Sequence, residues 1–278
     1  MKKPRFTFQM LGRAALLVVM LVFAGFPIYW MANTALSNDA QIYSNGQGPW
    51  LHFRNLPSLL ITLQQVPLGR WMLNTVTIAT GTTILSLLLG ALGGYALSRF
   101  RFWGKGFVGF LLFVTQVVPE ALIVIPLYTM FIALGLLNHL TGLILANVAF
   151  ALPVSTFILK GAMDAIPTEL EEAASIDNCP RISVLTMIIL PLIMPSVAAA
   201  AVISFFAGWN EYLFAATFLK DQALWPASVG LASFIGQYET PMSAVMGSAL
   251  VFSVPAIVFF LLIQRKIVSG LTSGAVKG

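Results

Sequence analysis

Six apolar runs, separated by short polar or basic stretches, set the pattern of this chain. They cover approximately residues 14–31, 71–97, 107–134, 140–159, 196–214 and 244–263, each near the ~20 residues that a bilayer-crossing helix needs. The first follows Lys2, Lys3, Arg5 and Arg13 and ends near Pro27, Tyr29 and Trp30. It has no small-x-small cleavage site, so it predicts a transmembrane helix rather than a removed signal. The second run is long, which implies a tilt or a first turn in the interface at Trp71. Gly90 and Gly94 within it permit close helix packing, although glycine is also tolerated generally in membrane helices. The third run is interrupted by Pro119 and Pro126, with Glu120 between them, and the fifth ends in Trp209-Asn210-Glu211-Tyr212. The stretch Ser37–Arg70 shows no periodic pattern and reads as a loop. Arg265 and Lys266 mark the predicted end of the sixth span.

Composition narrows the class to an integral membrane protein. Hydrophobic residues make up 58% of the 278 and charged residues only 9%, against about 25% charged in a soluble domain. The expected architecture is all-α, one transmembrane domain over 1–278. The net charge of +5 does not point to nucleic acid, because the basic residues stand singly at the ends of apolar runs. With six spans, twelve of the fifteen basic residues fall on the side of the termini, and only Arg54, Arg70 and Lys220 fall opposite. The positive-inside rule then makes both termini cytoplasmic, together with the 160–195 loop and the 265–278 tail. The single Cys179 excludes an intrachain disulfide, and His52 and His139 lie far apart in loops, so no metal site is expected.

The densest polar feature is the stretch Pro167–Pro195. Glu169, Glu171, Glu172 and Asp177 are four of the ten acidic residues. Thr168 followed three residues later by Glu171 predicts a capping box and a helix from Glu169. Asn178 suits a left-handed stop, and Pro180 cannot continue the helix. A second helical run from Pro180 to Leu190 should stop at Pro191. On the first helix Leu170, Ala173, Ala174 and Asp177 share one face, flat enough for another protein surface to approach. The alternative is an ordinary solvated loop helix.

Catalytic chemistry is not apparent. No Gly-x-x-x-x-Gly-Lys-Ser/Thr phosphate loop, Gly-x-Ser-x-Gly elbow or His-Glu-x-x-His helix occurs. The chain is therefore not expected to be an enzyme or to hold a cofactor. Glu120 and Glu211 lie in apolar spans, where a carboxylate costs about 2.5–3.5 kcal/mol on insertion scales. They should face protein or water, either as polar wall groups or as packing partners.

Four stretches resemble a known family. Glu172-Ala173-Ala174, Asp177, Leu190-Pro191-Leu192 and Pro195 resemble the EAA loop of permease subunits of bacterial ATP-binding-cassette importers. The family's Asp-Gly step reads Asp177-Asn178 here. The segments WNEYLFA, GGYALSRFRF and the tail GLTSGAVKG are similar to the carbohydrate-uptake branch, of maltose and trehalose type. The resemblance implies a type I importer fold and an assembly of this chain with a second permease subunit, two ATPase subunits that carry ATP and Mg, and an extracytoplasmic solute-binding protein. It implies sugar as substrate and the bacterial inner membrane as location. Thr168, Glu169, Leu170, Glu171, Glu172, Ala173, Ala174, Asp177, Asn178 and Pro191 would form the ATPase-coupling element. Gly270, Leu271, Thr272, Ser273 and Gly274 would touch the ATPase from a tail too rich in glycine for a stable helix. Trp225, Phe234 and Tyr238, in the long 218–241 loop, would meet the binding protein. Glu120, Trp209, Asn210, Glu211 and Tyr212 are the candidate substrate pathway. Two other readings stay open: a proton-coupled carrier with Glu120 and Glu211 as relays, and a membrane scaffold without transport.

Overall fold

The computed structural model describes residues 8–44, 48–236 and 240–275, and every regular element among them is helical. The first apolar run forms α1, Phe8–Ala35. Two short helices, α2 (Asp39–Ser44) and α3 (Leu56–Gln64), follow where the sequence predicts only a loop. Their shortness hides the period: α3 offers nine residues, too few for a repeated apolar stripe. The second run forms α4, Leu68–Arg99, and the fourth forms α7, Leu140–Asp164.

Five helical segments are long and apolar enough to cross a membrane: Met10–Ala35, Leu68–Arg99, Leu140–Asp164, Met194–Phe218 and Met242–Lys266. The predicted third span is not one helix. It divides into α5, Lys105–Val114, and α6, Glu120–Ala133. Pro119 has an extended backbone (φ −61°, ψ 129°), which breaks the run just before Glu120. Pro126, by contrast, sits inside α6.

After the acidic helix α8 (Glu169–Ile176) comes an irregular helix rather than one that stops at Pro191. It starts as α9 (Arg181–Ser183), widens into a π-turn over Val184–Ile189, and resumes as α10 (Leu190–Leu192). Pro191 has no N–H for the carbonyl four residues back. In the wide turn Leu190 N–H donates to the Leu185 carbonyl, five residues back, and the chain keeps turning. It then enters α11, Met194–Trp209, and the short α12, Leu213–Phe218. The 218–241 loop carries α13, Ala227–Ala232. The last helix, α14, runs from Met242 to Ala275, past Arg265 and Lys266 and through Gly270 and Gly274. The basic pair does not stop it, because Lys and Arg are good helix formers. The tail, expected as an extended segment, therefore has a helical backbone up to Ala275.

Contacts cluster the chain into two units. One comprises residues up to Leu68 with Leu231–Val254. Here the Asp39 carboxylate accepts bonds from the Ser243 N–H (2.9 Å) and Oγ (3.0 Å), which joins α2 to the start of α14. The Tyr43 hydroxyl donates to the Thr240 carbonyl at 2.7 Å.

The other unit comprises Gly69–Gly230 with the chain from Pro255 on. At its centre α7 lies against α11 and α4. Ser155 and Ser204 share a buried hydroxyl bond of 2.9 Å between α7 and α11. Towards one end, Tyr95, Leu159, Met163, Val184, Leu185 and Ile189 form a buried cluster. Towards the other, Ile78, Phe131, Leu143, Phe214 and Phe218 form a second. The loop after α12 is tied to the start of α4. Trp71 Nε1 donates to the Gln222 carbonyl (3.1 Å), and Asn74 Nδ2 donates to the carbonyls of Ala223 (2.9 Å) and Trp225 (3.0 Å). The side-chain donors of Trp71 and Asn74 thus find partners in loop backbone.

Glycine sets how closely α4 approaches α7. A Cβ at Gly94 would lie 3.1 Å from Lys160 N and 3.2 Å from Thr156 O, both backbone atoms that cannot swing away. One at Gly93 would meet Thr156 at an ordinary 3.5 Å. Gly94→Val should therefore lower stability by about 1–3 kcal/mol through overpacking, whereas Gly93→Ala should change it by less than about 0.5 kcal/mol. Thermal melting of the purified variants in detergent checks this. Equal melting temperatures for both would show that the α4–α7 approach is not glycine-limited.

Candidate functional site

The acidic helix α8 begins at Glu169, as the sequence predicts, but the capping box does not form. Thr168 has helical backbone angles, and its hydroxyl makes no cap bond. The Glu171 side chain, which should have reached back to Thr168, turns towards α4 instead. Its Oε2 accepts the Tyr95 hydroxyl at 2.8 Å, and its Oε1 pairs with Arg99 Nε. Arg99 Nη2 also donates to the Ile166 carbonyl, at 2.9 Å. The pair is mostly shielded, with side chains 12% (Arg99) and 16% (Glu171) exposed. A charged, multiply bonded contact outcompetes a neutral hydroxyl cap.

The end of α8 is a Schellman turn. Asn178 is left-handed (φ 56°), its N–H donates to the Ser175 carbonyl (3.1 Å), and the Cys179 N–H donates to the Ala174 carbonyl (3.0 Å). Asn thus performs the stop that glycine would otherwise make. Just beyond, the Arg181 guanidinium lies 4.6 Å from the centre of the Phe100 ring, which itself meets Tyr95 edge-on at 5.8 Å. A second pair, Lys160 with Asp164 at 2.5 Å, is more open, and Ser98 Oγ donates to the same Asp164 at 2.6 Å. Exposed i,i+4 pairs contribute little, so the Arg99–Glu171 contact is the stronger fastening.

The face that α8 presents outward differs in part from the predicted one. Ala174 turns inward and is buried beside Met163 and Leu185. Glu169, Leu170, Glu172, Ala173, Ile176 and Asp177 are exposed, Ile176 at 82%. The outward surface is a mixed apolar and acidic patch on a helix fixed from behind. Pro191 does not share it; it lies on α10, where it belongs to the π-turn region.

A second site lies where α6, α7, α11 and α12 meet. A cavity of about 420 Å³ is lined by Gln116, Glu120, Asn147, Phe150, Asn210, Glu211 and Tyr212, among others. It brings together four of the five predicted pathway residues. The fifth, Trp209, is 2% exposed, does not line the cavity, and stacks on Phe205 at 5.3 Å. It is the last residue of α11, and the helix turns its ring into the protein interior. Glu211 sits in the break between α11 and α12. Its Oε1 accepts the Phe214 N–H (2.6 Å) and the Ala215 N–H (3.3 Å), capping α12. Glu120 opens α6, exposed at the same wall. No group of three or more His, Cys, Asp or Glu with metal-holding geometry occurs among the described residues.

The remaining predicted residues are scattered. Trp225 is half-buried, its ring centre 6.4 Å from that of Trp71 and its Nε1 bonded to the Leu219 carbonyl at 3.2 Å. It holds its own loop in place. Phe234 is half-buried, and Tyr238 lies outside the described residues. Sequence reasoning missed Tyr95, Arg99, Gln116 and Asn147. A basic residue at the end of an apolar run has an obvious interfacial explanation, and only the fold reveals that Arg99 meets an acid 72 residues later.

Comparisons with known proteins bear on the family and the fold. The family described as binding-protein-dependent transport system inner membrane component matches residues 86–270. A sulfoquinovosyl glycerol transport system permease of Agrobacterium fabrum is 31% identical over 94% of this chain and 91% of its own length. A trehalose transport system permease of Mycobacterium tuberculosis is 38% identical over 74% of this chain and 76% of its own. A trehalose/maltose transport system permease of Thermococcus litoralis is 31% identical over 94% of both. The fold is similar to a chain of a crystallised bacterial ABC transporter involved in import of the acidic polysaccharide alginate. The TM-score is 0.78 at 21% identity, covering 95% of this chain and 99% of that one. The chain is a member of the binding-protein-dependent transport system inner membrane component family.

Proposed function

We propose that this chain is one of two permease subunits of an ATP-driven importer of sugars, and that α8 is the element through which ATPase subunits move it. The observation that carries the reading is the exposed acidic patch of α8 combined with its fastening to α4 through Arg99 and Glu171. A stiff helix held in a cleft of an ATPase moves with that cleft, and a helix bonded to α4 transmits the movement to the bundle. Relatives whose names specify trehalose, maltose and diacetylchitobiose favour a carbohydrate substrate.

In this reading the chain crosses the membrane six times, α5 and α6 together making the third crossing. Ten and fourteen residues are each too short alone. Both termini, α8 and the tail are cytoplasmic, in keeping with the distribution of the basic residues. ATP and Mg are bound by the partner subunits, and this chain is not itself an enzyme. A binding protein delivers the solute from outside. The end of α14, including Gly270–Gly274, adds a second contact to an ATPase.

A proton-coupled carrier is the competing reading, because Glu120 and Glu211 line one cavity. It leaves the patch on α8 without a role. Uptake that follows a proton gradient and ignores ATP would favour it.

Substitutions on the patch and behind it should act differently. Glu172→Lys reverses a charge on the exposed patch and should reduce co-purification of the ATPase at least tenfold, since a charge-assisted contact is worth about 1.5–3 kcal/mol. Ala173→Trp should act similarly by wedging. Normal ATPase recovery and normal sugar uptake in both would remove α8 from the contact. With Arg99→Ala the ATPase should still bind and hydrolyse ATP, while uptake per ATP falls severalfold. Loss of binding and uptake in equal measure would show that Arg99 acts only by holding the fold.

A further inference from the structure

The cavity beside Glu211 is unusual in which of its polar atoms are left over. Asn147 is 5% exposed, and its Nδ2 donates to the Leu143 carbonyl at 2.9 Å. Its Oδ1 has no protein partner and is not sealed from the cavity. Gln116 repeats this arrangement: Nε2 donates to the Phe150 carbonyl at 3.1 Å, and Oε1 has no partner. Glu211, 8% exposed, uses Oε1 to cap α12 and leaves Oε2 open. Glu120 adds a second carboxylate at the same wall, and no Lys, Arg or His is among the lining residues.

Each amide spends one N–H on backbone and keeps its carbonyl oxygen, an acceptor, without a protein partner. A carboxylate offers acceptors alone while ionised. Asn210 and Tyr212, both exposed at the wall, are free to donate. Phe150 and Phe206 supply apolar ring surface beside them. The complement of such a wall is a molecule rich in hydroxyl donors, with an apolar face, and without negative charge. A polyol can donate to the open Asn147 and Glu211 oxygens, while an anion faces the Glu120 carboxylate and finds no Lys, Arg or His at this wall.

We propose that this cavity is a sugar subsite belonging to this chain itself, and that it selects neutral sugars and excludes anionic ones. Asn147 and Glu211 accept hydrogen bonds from sugar hydroxyls, and Glu120 sets the charge selection. The inference rests on the importer reading and goes beyond it. It differs from what the name of the structurally similar alginate importer states for that protein, whose substrate is an acidic polysaccharide.

Saturation-transfer NMR on the full-length chain in nanodiscs tests this without the binding protein, with trehalose and trehalose 6-phosphate as probes. Trehalose should give ring-proton transfer, and the phosphate should bind at least about tenfold more weakly. Asn147→Leu should abolish the trehalose signal. Glu120→Gln, at an exposed position, should bring the two probes within about threefold of each other. Equal binding of both probes to the unmodified chain, an unaltered probe ratio in Glu120→Gln, or no trehalose transfer at all would each overturn the proposal. So would trehalose binding that survives Asn147→Leu. None of these outcomes touches the importer reading, which fails only if uptake by the whole assembly does not require ATP.

Discussion

A guanidinium and a carboxylate shielded from water at one end of α4 hold α8 against the helices behind it. Arg99 and Glu171 belong to segments 72 residues apart in sequence. Without their contact, α8 would be a short helix hung between two loops. Tyr95 and the Ile166 carbonyl satisfy further atoms of the pair, so neither charge is left unpaired. Removing one partner of a well-shielded pair costs about 3–5 kcal/mol, far above an exposed ion pair. The fastening therefore lies between the outward acidic patch of α8 and the buried core, where the neighbouring Lys160–Asp164 pair does not have comparable weight.

The core behind that fastening is closely packed. Gly94 lets α4 approach the backbone of α7, and Ser155 with Ser204 links α7 to α11. Close-packed interiors switch between discrete arrangements and do not stretch. Under the proposed mechanism a displacement of α8 would reach α7 and α11, and through them the wall of the cavity that Asn147, Asn210 and Glu211 line. The outward patch of α8 and the cavity are joined by packed helices.

Much of this architecture is legible in the chain, for reasons that particular residues make plain. Apolar runs of about twenty residues can do little except span, and the left-handed Asn178 followed by Pro180 leaves α8 no way to continue. What stays hidden are choices settled by distant partners. Thr168 and Glu171 have the spacing of a capping box, yet Glu171 finds a stronger partner in Arg99. Pro191 reads as a stop, but a π-turn before it carries the helix on. Trp209 reads as a pathway aromatic beside Glu211, while the rotation of α11 stacks it on Phe205. Asn147, a single amide in an apolar run, gives no signal until α7 turns it to the cavity wall.

If the proposed mechanism holds, α8 and the end of α4 move as one unit when ATP drives the assembly. Spin labels at Ile176 and Phe102, both exposed, in a chain whose Cys179 is replaced by serine, report their separation by pulsed electron resonance. In the assembled importer the account predicts one narrow distance, unchanged between ATP-free and ATP-trapped states, and a broadened one in Arg99→Ala. A distance that shifts with ATP in the otherwise unmodified chain would contradict it.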